Sequence, residues 1–396
     1  MSSNSGDTII RLSFANTTNR DQFYPVRVEI GDDFFLLEKI GSDGSGARSI
    51  QKYIFLDNRE FEFFKEHSAG SGIEAVALEP LITEAKATPE APSIGLGMRL
   101  AIVILQKYGA GQPGASIEVP NYFPLDMADY LRSKGIVLNV TKPFRPERQL
   151  KNDAEIAAIE ASIKKTQHAY RKIEDILRAS KIEAKDGANV LVYQGKILTS
   201  EFLKKEVDKV LVEHGMSNVA GIIISCGKDA SIAHHPGAGA IRAGETIICD
   251  LFPVSTETGY FADMTRTYVK GKPSEKAQQM YDAVLEAQEA ALEFAKPGAK
   301  IADMHELCCE MFRVRGFHVG DRGFTHSTGH GLGLDLHESP NVSSSSTAAF
   351  EVGHVVTVEP GLYYPEHGGV RIEDVIAITK DGSRNLTEYP KVFIIE

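Results

Sequence analysis

A chain of 396 residues is longer than one hydrophobic core commonly organises, so two domains are expected. Its 42% hydrophobic and 24% charged residues are ordinary for a globular protein, and a formal net charge of −11 argues against nucleic acid or an anionic membrane as the main partner. The first residues show no basic region leading into an apolar run, and no stretch approaches the roughly 18 apolar residues of a membrane span, so a cytoplasmic protein is expected. The four cysteines, Cys226, Cys249, Cys308 and Cys309, form no CxxC pair, which fits a reducing compartment and supports neither a disulfide framework nor a thiolate metal site.

In chain order, Pro25–Ile30 alternates with period two and reads as a strand, followed by a Gly31-Asp32 turn and a second strand over Asp33–Leu37. Further strands are expected over Tyr53–Leu56, Ile73–Leu78, Ser116–Val119 and Ile136–Val140, with helices over Met98–Tyr108 and Leu125–Ser133. The mixture implies a small α/β domain over residues 1–148, without clustered chemistry. Pro143 and Pro146 break the pattern. A long amphipathic helix then begins near Asn152, a plausible N-cap, and opens a second domain over 149–396. Helices are expected there at about 199–214, 274–295 and 302–315.

Two ribbons hold the unusual content. Glu245–Phe252 is apolar up to Asp250, and an unpaired buried carboxylate costs several kcal/mol. The chain turns near Glu257-Thr258-Gly259 and returns with Phe261, Asp263, Thr265 and Thr267 on one face. Similarly, His354–Gly361 is apolar up to Glu359, turns over 364–369, and returns with Arg371 and Glu373 on one face. Paired with Arg266 and Arg371 alone, four such carboxylates remain short by two charges. A metal centre resolves this better. Gly329-His330-Gly331-Leu332-Gly333 adds an imidazole among glycines in a strand or irregular segment, with His337 seven residues on. Four carboxylates and one imidazole suit two divalent cations with a bridging hydroxide, and oxygen-rich ligation favours catalytic Mn, Co, Fe or Zn over structural zinc. The chemistry implied is hydrolysis.

This ordered set resembles the pita-bread metallopeptidases, in particular the Xaa-Pro aminopeptidase and prolidase branch. It comprises Asp250, Asp263 in Ala-Asp-Met-Thr-Arg-Thr, His330 in Gly-His-Gly-Leu-Gly, Glu359 in Val-Glu-Pro-Gly-Leu-Tyr and Glu373 in Val-Arg-Ile-Glu-Asp. The resemblance covers roughly residues 150–396. It implies an α+β protein of two domains, a creatinase-like N-terminal α/β domain and a pita-bread catalytic domain. By that resemblance Asp250 chelates one metal, Asp263 and Glu373 bridge two, and His330 and Glu359 hold the other, manganese being favoured. Glu359 would also shuttle the proton of the attacking water. His337 and His234 would face the substrate, His234 being preferred to its neighbour His235. His326 would be a further catalytic histidine, and Arg371 would support the carboxylates from outside the ligand set. A homodimer is implied as well.

The expected function is hydrolysis of the amino-terminal Xaa-Pro bond of peptides or dipeptides by a metal-bridging hydroxide. The family commonly has Asp-x-Gly at the first ligand and a shorter interval to the second. Here Leu251-Phe252-Pro253 follows Asp250, and Asp263 comes thirteen residues on. That departure bears on the substrate pocket and keeps open a metal-dependent hydrolase or lyase of a small non-peptide metabolite. A non-catalytic binding module on the same fold is the remaining alternative.

Overall fold

The run Phe34-Phe-Leu-Leu37 lacks polar alternation, and in a computed structural model of the protein it lies in a sheet buried on both faces. The structure describes residues 8–42, 48–90, 93–185 and 187–396, and the chain divides into two compact units, 1–146 and 147–396. In the first unit six strands run in the order Ile73–Ala77, Arg48–Leu56, Phe34–Ser42, Ile9–Ala15, Ser116–Pro120 and Val137–Thr141. The three central strands are antiparallel and the outer ones join in parallel. Phe35 and Leu37 point into one core, with Leu12, Ile104 and Leu131. Phe34 and Leu36 point into the other, with Ile54 and Phe64.

The expected strand over Pro25–Ile30 is not there. Residues Arg20–Val26 form a helix capped by Asn19, and Arg27 takes a left-handed φ of 57°. Val26, Val28 and Ile30 still enter the core, and Ile30 N donates to Thr17 Oγ1 at 2.8 Å. The alternation therefore records burial of every second side chain by a segment with no partner strand among the described residues.

The second unit opens on the helix Asp153–Ala179, started by a capping box: Glu155 N donates to Asn152 Oδ1 at 3.0 Å and Asn152 N to Glu155 Oε2 at 2.9 Å. The other expected helices are Ser200–Glu213, Glu275–Phe294 and Ile301–Val314. They flank two sheets. One runs Ile222–Cys226, Ile247–Leu251, Met264–Lys270, Ile394–Ile395; the other Glu338–Val342, Gly329–Gly331, Val355–Val358, Asp374–Thr379, Gly382–Asn385. The last two helices pack on the second sheet through Met280, Val284, Met304 and Phe312 against Val356, Val358 and Ile376. At about 25 cal/mol per Å² of apolar surface, each such side chain contributes roughly 2 kcal/mol.

The second acidic ribbon is built differently from its expectation. Gly361–Tyr364 pairs with Gly368–Arg371 as a separate hairpin, while Val355–Val358 pairs with Asp374–Thr379. Glu373 lies between these pairings and bridges to Thr265 of the other ribbon, its N donating to Thr265 O at 3.1 Å. The two ribbons are thus joined through Glu373 rather than repeated.

His354 carries a pH signature remote from this junction. It is 3% exposed, Glu351 N donates to its Nδ1 at 3.0 Å, and burial holds its pKa below the usual value. The native state therefore takes up fewer protons than the unfolded chain as pH falls through about 6.5, so this contribution is complete above that pH and lost below it. The urea midpoint is expected to fall between about pH 7.5 and about pH 5.5, and His354→Asn, which keeps an acceptor, should reduce that fall. Equal falls in both proteins would remove His354 as a source.

Candidate metal centre

Strand pairing brings the acids together. Asp250, near the end of its strand, stands opposite Thr265, and Asp263 precedes Thr265 by two residues on the same face. Thr265 Oγ1 donates to Glu373 Oε2 at 2.8 Å. Glu359 follows Val355–Val358; its N donates to Thr328 O at 2.8 Å, and Thr357 Oγ1 donates to its Oε1 at 3.2 Å. Beside it runs Gly329–Gly331, where the register shifts after His330. The glycines permit close approach, since a Cβ on Gly329 would overlap Thr357 O and one on Gly331 would overlap Ser339 O.

His330 Nδ1 donates to Gly331 O at 3.1 Å, which leaves Nε2 facing the acids, 3.3 Å from Glu359 Oε1 and 3.6 Å from Asp263 Oδ2. Ligand atoms of Asp263, His330 and Glu373 lie within 4.8 Å of one another. All four acids line one cavity of about 850 Å³ with His330, Arg371, His234, His326 and His337.

The electrostatics test whether cations fit. Arg371 Nη2 donates to Asp250 Oδ2 at 2.5 Å, but its Nε is 4.0 Å from Glu359 Oε2. Arg266, the other candidate countercharge, is used by Asp374 at 2.8 Å. Among the described residues, Asp250 Oδ1 is buried without a hydrogen-bond partner. Burial raises the Asp250 pKa against the opposing pull of Arg371. It pushes Asp263 well above the carboxylate range, helped by Asp250, and Glu373 likewise, helped by Asp263. Only Glu359 escapes: burial would raise it, but the His330 hydrogen bond and charge bring it to about 2. The same pair lifts His330 to about 9 against its own burial. Asp374 shows the contrast, held low despite burial by Arg266 and Lys391. Four acids facing one guanidinium and one imidazole, with an orphaned oxygen and carboxyls that resist ionisation, fit divalent cations.

The histidines differ in their surroundings. His326 Nδ1 donates to Ser327 O at 2.7 Å, so Nε2 accepts from Tyr363 Oη at 2.9 Å, and that oxygen accepts from Arg371 Nη1 at 2.6 Å. Burial keeps the histidine and tyrosine of this chain neutral, lowering His326 to about 4 and raising Tyr363 to about 12. His337 stands edge-on to His330 with ring centroids 4.3 Å apart. His234 is exposed at the cavity wall, whereas His235 Nδ1 turns back to accept from Gly237 N at 3.0 Å. Sequence patterning assigns no role to Tyr363, Thr265, Thr357 or Glu338. Tyr363 stands in the segment Glu-Pro-Gly-Leu-Tyr, four residues after Glu359, and that proximity is the one signal that points to it.

An acid-rich cavity of this kind, at the strand ends of a two-unit α+β chain, defines a metal-dependent hydrolase. The sequence profile of metallopeptidase family M24 matches residues 157–380, and the chain belongs to that family. An Xaa-Pro dipeptidase of Pyrococcus horikoshii is 32% identical over 281 residues, covering 70% of this chain and 75% of that protein. An Xaa-Pro dipeptidase of Pyrococcus furiosus is 40% identical over 167 residues, 42% of this chain and 47% of that protein. The crystal structure of the prolidase from Pyrococcus horikoshii superposes with a TM-score of 0.75 at 26% identity, covering 98% of this chain and 96% of that one. The fold is the pita-bread fold, and the protein is a metallopeptidase.

Arg371 is the guanidinium this cavity depends on. Arg371→Met should destabilise the metal-free protein by about 3–5 kcal/mol in urea unfolding, because a buried charge partner is removed. A loss under about 1 kcal/mol, as for an exposed pair, would show that Asp250 needs no countercharge there.

Proposed function

We propose that the protein cleaves the amino-terminal Xaa-Pro bond of peptides or Xaa-Pro dipeptides with two divalent cations, manganese favoured over cobalt, zinc or iron. The observation that carries this is the set of four buried carboxylates and one imidazole facing a single guanidinium in the cavity. Asp250, Asp263, His330, Glu359 and Glu373 would hold the cations. When bound, these supply Lewis-acid polarisation of a carbonyl and acidify a water molecule. The names of the Pyrococcus relatives support the substrate class.

The remaining work falls to side chains. Glu359, ionised under the influence of His330, can accept a proton at Oε and pass it to the leaving amine. His337, half-buried beside His330, can donate to the oxygen of the tetrahedral species. His234 at the wall can contact the substrate amide, and the neutral His326–Tyr363 pair keeps Arg371 aimed at Asp250. The reading extends to the first unit as a creatinase-type N-terminal domain, to a homodimer and to a cytoplasmic location. Among the described residues no helix is long and apolar enough to cross a membrane.

Metal-free protein assayed on a proline-containing peptide should be active only after Mn²⁺ is added. Equal activity without metal, or none on any amino-terminal substrate, would sink the proposal. His330→Ala should lose metal affinity by more than the roughly 10- to 100-fold that loss of an outer-shell partner costs, while His337→Ala should keep metal and lose turnover. Metal analysis alongside the assay separates the two.

A further inference from the structure

Next to the acidic set lies a second charged cluster, which that chemistry does not use. Glu338, which follows His337, is 7% exposed at its side chain and takes three hydrogen bonds. Arg148 Nη2 donates to Oε1 at 2.5 Å, Asp335 N to the same oxygen at 3.1 Å, and Lys151 Nζ to Oε2 at 2.8 Å. Arg148 also reaches Asp335 Oδ2 at 2.6 Å, so both ends of the turn Asp335-Leu-His-Glu338 are tied to one guanidinium. The Lys151 side chain is 2% exposed, and its backbone N donates to Gly353 O at 2.7 Å. Gly333 completes the seat, because a Cβ there would come 2.7 Å from Glu338 Oε2. Despite burial, Lys151 and Arg148 hold the Glu338 carboxyl below its usual range.

The tethered turn carries His337 into the cavity. Among the described residues its ring makes no hydrogen bond, so its place depends on the backbone beneath it and on the edge contact with His330. We propose that Glu338, clamped by Lys151 and Arg148, is a positioning residue that fixes the turn from which His337 meets the substrate. This rests on the reading that His337 faces the substrate. Misplacement of a reacting group by about 1 Å can cost on the order of 100-fold, so a clamp one residue away is well placed to set the rate.

The test compares Glu338→Gln, and Lys151→Met with Glu338→Gln to avoid stranding the lysine, in wild-type and His337→Ala backgrounds. Metal-loaded protein is assayed on an Xaa-Pro peptide. Both variants should lower kcat on the order of 10- to 100-fold, with KM and metal content little changed, and leave the residual rate of His337→Ala unaltered. Equal losses in both backgrounds, or none in either, would overturn the proposal. Histidine ¹³Cε1 NMR supplies a readout independent of turnover: the His337 signal, assigned by its absence in His337→Ala, should shift in Glu338→Gln. An unmoved His337 signal overturns the positioning role even if every variant lacks Xaa-Pro activity, a lack that by itself would sink only the proposed function.

Discussion

The arrangement of the second unit depends on one imbalance: four carboxyls, shielded from water, gathered in one cavity against a single guanidinium. Desolvation raises Asp250, Asp263 and Glu373, and only Glu359 is drawn down, by His330. A fold gains nothing from such a cluster as a stability device, because buried ion pairs rarely outperform apolar packing and unmatched ones are worse. The rest of the unit is therefore best understood as what keeps these acids in place. Strand pairing across Asp250 and Thr265, the bridge from Thr265 to Glu373, and the threonine hydroxyls that donate to Glu373 and Glu359 all serve this end.

Polar connections behind the acids are equally specific. Arg371 touches Asp250 and Tyr363, and Tyr363 in turn touches His326, a chain of short bonds crossing from one sheet to the hairpin and on to the loop before His330. Burial keeps His326 and Tyr363 uncharged, so the guanidinium keeps its charge directed at the cavity. In a medium of low effective dielectric, one misplaced dipole in this chain would be felt by every acid.

Much of the acidic set is legible in the amino-acid sequence. Carboxylates ending apolar runs, as Asp250 and Glu359 do, betray themselves because burial makes them costly. His330 between glycines is legible for a related reason, since only a backbone in close contact needs two missing side chains. The helices of the second unit follow from amphipathic spacing and caps such as Asn152. What local pattern does not convey is pairing at a distance. Thr265 and Glu373 are 108 positions apart, and no periodicity announces that the ribbons meet there. Glu338 likewise acts through a partner far along the chain, Lys151 standing 187 positions away. The segment Pro25–Ile30 misleads for the opposite reason: its alternation is real, but it reflects burial without a strand partner.

Glu373 and Asp374 are neighbours in the chain with opposite partners. Glu373 lines the cavity; Asp374 takes Arg266 at 2.8 Å and Lys391 at 3.3 Å. Arg266 donates further to Tyr389 O at 2.8 Å and Pro390 O at 3.1 Å. The cavity wall is therefore a partition one strand thick, wet chemistry on its front and a latch of charge on its back. The segment Tyr389–Lys391 does not line the cavity, yet it is the bolt of that latch. A change there would reach the front of the wall through a single peptide bond.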